Sequence, residues 1–221
     1  MRLFPVLKSG LWITALCLCA QGQDAPSKEA PVNESKGMPP RATPADYQTH
    51  AQAGTVTIAA EFTGHAVGTP QGSLTTEDYV VVEVGFFGPA EARAKLAIGD
   101  FSLRINGKKA ALPGQPYGMV LSSLKDPEWE PPFKPEKKSS MSTDGGGRGQ
   151  GGDAPSVPKM TFPERRAMEQ KVQKANLPEG DRALPVAGLI FFQYSGKTKG
   201  IKSLELIYDG PAGKATLTLQ P

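Results

Sequence analysis

Apolar and polar residues alternate in short runs over residues 55–124 and again over 186–220, each run bounded by Gly, Pro or Asn-Gly. That is the period-two signature of β-strands. The densest run, YVVVEVGFFG at residues 79–88, places Val80, Val82, Val84 and Phe86 on one face. Its other face mixes Tyr79, Val81, Glu83, Gly85 and Phe87, which predicts a central antiparallel strand with one core face and one partly wet face. Residues 55–63 alternate strictly through Val56, Ile58, Ala60 and Phe62 and predict a pairing strand.

Residues 94–98 form a short strand candidate, and FSLRI at 101–105 alternates before Asn106-Gly107, the strongest short hairpin signal. A return strand is expected at 108–112, and residues 117–124 read as a weaker extended segment. At the C-terminal end, 186–194, 201–208 and 214–220 are separated by short turns and predict a meander. About seven to nine strands result. One segment breaks the period. Thr161-Phe162-Pro163-Glu164 is a capping box, and Met168, Val172 and Ala175 recur at helical spacing, which predicts a helix over 162–177 with a narrow apolar stripe.

Composition divides the rest of the 221 residues. Residues 1–22 carry Arg2 and Lys8, an apolar stretch at 11–20 and then small residues, the order of an export signal. The apolar stretch is too short to span a bilayer, which takes about 20 residues. Residues 23–54, rich in Pro, Ala, Ser and mixed charge, read as a disordered tether. An insertion at 126–160 is rich in Pro and Gly, and its centre, 139–153, reads as disordered.

Both cysteines, Cys17 and Cys19, fall in the leader, so the exported chain is expected to use neither disulfide nor thiolate. Leu16 and Leu18, the residues preceding them, are bulkier than a lipid-attachment motif prefers, which disfavours lipid anchoring. Removing Arg2 and Lys8 leaves 23 of the 25 basic residues against 22 acidic ones, a net charge of about +1. No nucleic-acid footprint follows from that balance.

Candidate chemistry is sparse. Ser195-Gly196-Lys197-Thr198 ends like a phosphate-binding loop, but Phe191 stands where the motif needs Gly and a strand follows where it needs a helix. The chain has two histidines, His50 and His65, and lacks a nucleophile-elbow pattern and metal-ligand spacings. No catalytic residue, cofactor or metal is therefore assigned. The most pointed feature is DPEWEPPF at 126–133, where Trp129 and Phe133 ride a proline-stiffened arm. Together with Tyr117 they form the candidate contact set for a partner or ligand.

YVVVEVGFFG, FSLRINGKK, VAGLIFFQYSG and LELIYD together resemble the telokin-like immunoglobulin-fold domains of unknown function in bacterial secreted proteins and lipoproteins. The resemblance covers about residues 79–124 and 186–219; it implies an immunoglobulin-like antiparallel β-sandwich and no agreed catalytic residues. The fold expected is mainly β, with one inserted helix and long disordered segments, the sandwich domain occupying 55–221. The function expected is an exported, non-catalytic module that binds an envelope or extracellular protein. A carbohydrate- or small-ligand-binding sandwich is the alternative, and an envelope hydrolase using His65 a further one.

Overall fold

The computed structural model describes residues 36–129 and 160–221. The predicted leader, the tether up to residue 35, Phe133 and the Gly-rich centre at 139–153 lie outside the described residues. In chain order the strands are β1 (Thr49–Ala53), β2 (Val56–Gly64), β3 (Ala66–Thr69), β4 (Gly72–Thr76), β5 (Tyr79–Phe87), β6 (Arg93–Leu96), β7 (Phe101–Ile105) and β8 (Leu112–Gln115). A one-turn helix α1 (Tyr117–Val120), strand β9 (Leu124–Lys125) and the long helix α2 (Phe162–Ala175) follow. Strands β10 (Gly180–Ala183), β11 (Val186–Gln193), β12 (Leu204–Gly210) and β13 (Gly213–Leu219) complete the chain.

The fold is mainly β and antiparallel, as the alternation predicts, with a sandwich or barrel-like arrangement and, among the described residues, one long helix. An eight-stranded sheet runs β1-β2-β5-β11-β8-β7-β12-β13, beside a two-stranded β10-β6 ribbon and a three-stranded β3-β4-β9 sheet. The large sheet curls until β1 and β13 lie side by side, and the Gln48 side-chain amide donates to Gln220 O at 2.9 Å across that seam. Curling is how a twisted sheet of this width buries one whole face. Inside lie Val80, Val82, Val84 and Phe86 of β5, facing Leu103 of β7 and Leu206 of β12. Phe86, Phe101 and Tyr208 form an aromatic trio with ring centroids 5.0–5.9 Å apart.

The outer face of β5 is not wet. Tyr79 and Val81, with Leu189 and Phe191 of β11, are covered by Met168, Val172 and Ala175, the stripe of α2 anticipated from sequence. Eight consecutive residues of β5 are therefore buried: α2 covers the outer face at Tyr79 and Val81, and Arg41 and Tyr47 cover it at Glu83 and Gly85. The capping box is made: the Glu164 carboxylate accepts from the Thr161 backbone N–H (2.6 Å) and hydroxyl (2.7 Å). These bonds, chiefly the hydroxyl's, hold its pKa below the ordinary glutamate range.

The helix ends at Ala175, and the chain drops directly onto β11, where Leu177 N–H donates to Leu189 O at 3.0 Å. Gly188 permits that approach, since a Cβ there would sit 2.4 Å from Leu177 Cα. Leu177 then enters the inner core at the gap where β11 pairs β8 through only Phe191 and Phe192.

Several expectations are corrected. The tether does not run to residue 54: Met38 N–H donates to Ala187 O at 2.8 Å, Tyr47 is buried, and β1 pairs with β2. The C-terminal strands are not a meander, because β11 pairs β5 and β8 while β12 pairs β7 and β13. A strand buried on both faces belongs in the middle of the sheet, and β8 and β7 therefore separate β11 from β12.

Residues 117–123 are helical rather than extended, with Val120 and Leu124 at helical spacing in the outer core. Asn106 and Gly107 do form a tight turn, with φ of 54° and 65°, but pairing of β7 with β8 resumes only at Leu112. The Asn106 carboxamide is used elsewhere, donating to Gly200 O (3.0 Å) and accepting from Lys202 N–H (2.6 Å), which fixes the entry to β12.

Candidate functional site

Asp126-Pro127-Glu128-Trp129 folds as a β-turn. Trp129 N–H donates to Asp126 O (3.2 Å), Asp126 Oδ1 accepts from Glu128 N–H (3.0 Å), and Pro sits at the position whose φ it presets. The turn leaves β9, which pairs with β4 through Thr75 and Thr76. It swings Trp129 back to the first turn of α2, where the indole N–H donates to Glu164 Oε1 at 3.3 Å. The capping glutamate of α2 thus also holds the tryptophan.

Between β9, the turn and α2 lies a groove of ≈ 460 Å³. Its apolar wall is Leu121, Leu124, Trp129, Met160 and Met168, and its charged or polar margin is Ser122, Lys125, Asp126 and Arg165. The wall opposite the helix is rigid: the Ser123 hydroxyl is buried, hydrogen-bonded to Thr76 Oγ1 at 2.7 Å and donating to Val120 O at 2.9 Å. Two further large apolar side chains, Met119 on α1 and Phe162 at the start of α2, are 59% and 73% exposed.

Of the three residues predicted from sequence, Trp129 lies in the groove. Tyr117 does not line it and is half-buried against the outer core. Phe133 is outside the described residues. The groove's other residues were invisible to sequence reasoning because three separate segments supply them; the one local clue was the β-turn signature itself.

A second polar cluster lies on the large sheet. Glu61 of β2 and Glu83 of β5 are directly opposed in register, an arrangement that is repulsive unless a cation intervenes. Arg41 is that cation. Its guanidinium bridges Glu61 and Glu83 (3.1 Å to the latter), donates to Asp46 O at 2.6 Å and lies 4.5 Å from the centroid of the Tyr47 ring. Burial alone would lower its pKa, but the two glutamates outweigh burial and raise it. Burial pushes the Tyr47 phenol up. The cluster is a latch that docks residues 36–48 on the sheet.

His65 lies with Nδ1 2.7 Å from Tyr79 O and Nε2 2.9 Å from Gly196 O, its ring stacked on Tyr194. A general base needs a ring lone pair facing substrate, and here both nitrogens face backbone carbonyls. The 195–198 loop that resembles a phosphate-loop tail is thereby tied to His65. Among the described residues no group of three or more His, Cys, Asp or Glu is placed to hold a metal ion. No described helix is long and apolar enough to cross a membrane.

Fold and groove together define a mainly-β antiparallel scaffold carrying an apolar surface cleft beside the helix α2. Comparison with protein-family models, with curated proteins and with solved structures gave no match.

Proposed function

We propose that this chain is an exported, non-catalytic interaction module that holds another envelope or extracellular protein in the groove beside Trp129. The supporting observation is the groove's composition. Leucine, methionine and a tryptophan line a concave surface whose wall opposite the helix is held by the buried Ser123–Thr76 hydrogen bond. Protein interfaces are enriched in such aromatic and methionine side chains.

A sugar-binding site fits less well. Saccharide recognition needs an open aromatic face flanked by convergent polar groups, and the groove's polar side chains sit at its margin, with the indole N–H committed to Glu164. Hydrolysis through His65 lacks a free ring nitrogen.

The test is affinity capture from a native envelope extract with the parent chain and with Leu121→Asp, which places a charge on the groove wall. One protein retained near stoichiometrically by the parent and lost from the variant supports the proposal. Equal retention by both, or by neither, refutes it.

A further inference from the structure

The groove's charges specify what kind of segment it takes. Lys125 is paired with Glu77 at 2.5 Å, and Asp126 accepts from Glu128 N–H. Glu164, at the foot of α2, gives its two oxygens to Thr161 and to Trp129. Arg165 differs. Its side chain is exposed at the margin of the apolar wall and has no hydrogen-bond or ion-pair partner there among the described residues.

A planar guanidinium beside a hydrophobic cleft matches a carboxylate presented next to an apolar side chain, because the fork can bind both carboxylate oxygens while the neighbour is desolvated. Resting on the interaction-module reading above, we propose that the groove recognises a protein segment in which a large apolar residue adjoins Asp or Glu, the apolar side chain against Trp129 and Met168 and the carboxylate on Arg165. A protein segment suits this surface better than a free small acid, because five apolar side chains line the groove and more than one apolar group is needed to cover them. Desolvated charge complementarity acts on partner choice more than on raw affinity, so its signature is preference between partners.

The chain has two tryptophans, Trp12 and Trp129, so the full chain carrying Trp12→Phe reports the groove alone. Its emission is titrated with three short synthetic peptides of one length: alternating Leu and Glu, alternating Leu and Lys, and alternating Ser and Glu. The expected result is a shift of Trp129 emission by the Leu/Glu peptide, with affinity at least about tenfold above the other two. Arg165→Glu, an exposed substitution that leaves the core untouched, should invert the order so that Leu/Lys binds better. Equal binding of Leu/Glu and Leu/Lys, or an order unchanged in Arg165→Glu, overturns the carboxylate assignment while leaving the groove as a protein site. No response of Trp129 to any peptide overturns the groove reading itself.

Discussion

Replacing Arg41 with Ala should destabilise the domain by about 2–3 kcal/mol, a value set by where its partners lie. Exposed ion pairs contribute about 0–1 kcal/mol, and removing one partner of a fully buried pair costs about 3–5 kcal/mol. Here the side chains of Arg41 and Glu61 are 32% and 34% exposed while that of Glu83 is 10% exposed, so the cost falls between those limits. The variant also leaves Glu61 and Glu83 facing each other across β2 and β5 with no cation between them.

Urea unfolding reads the effect directly, since with a slope of roughly 2 kcal/mol/M the midpoint should fall by about 1–1.5 M. Adding Glu83→Gln to Arg41→Ala should restore part of the loss, with a coupling of about 1 kcal/mol or more. High salt should also narrow the gap between parent and variant by screening the two carboxylates. If Arg41→Ala unfolds within about 0.5 kcal/mol of the parent, Arg41 does not latch residues 36–48 to the sheet.

Other consequences are as direct. Gly188→Ala should cost about 3 kcal/mol or more, because the new Cβ meets backbone atoms of Leu177 and Asn176 at 2.4–2.9 Å that no side-chain rotation can clear; a thermal melt within error of the parent would contradict this. Asp100 has its pKa raised, first by burial and then by Asp209. A carboxyl raised in the folded state favours folding most below its unfolded pKa, and that advantage is lost as pH rises through the folded value. Asp100→Asn should therefore gain on the parent at neutral pH and lose that gain in acid; a difference independent of pH would refute it. Glu164 is shifted the opposite way, so its contribution to the cap is present above the ordinary glutamate pKa and is lost as pH falls through the lowered folded value. Trp129 emission should follow that titration in the parent and not in Glu164→Gln.

The elements legible in the sequence are those whose signal is local. The alternation of β2 and β5, the Thr161–Glu164 box and the Met168, Val172, Ala175 stripe each need only a few neighbouring residues to be read, and each appears in the fold. Sheet order was not legible. Val186–Gln193 looks like the first strand of a C-terminal meander, yet its continuous apolar run fits only a position with both faces covered, between β5 and β8.

The apolar Tyr79 and Val81 on the supposedly wet face of β5 carried the same message. The docking of residues 36–54 is not legible because proline-rich composition says nothing about Arg41, whose partners lie 20 and 42 positions away. The site was half legible: the β-turn of 126–129 and its tryptophan are written in four residues, while the wall it faces is assembled from Leu121 and Ser122, β9 and α2.

The claim that the groove holds a partner protein is tested most directly by site-specific photo-cross-linking in intact cells expressing the chain. A photoreactive residue placed at Ser122, which is exposed on the groove margin, is compared with one at Lys214 on β13. The account predicts one discrete adduct from position 122, absent from position 214 and lost when Leu121→Asp is added. No adduct from position 122, or the same adduct from both positions, would contradict it.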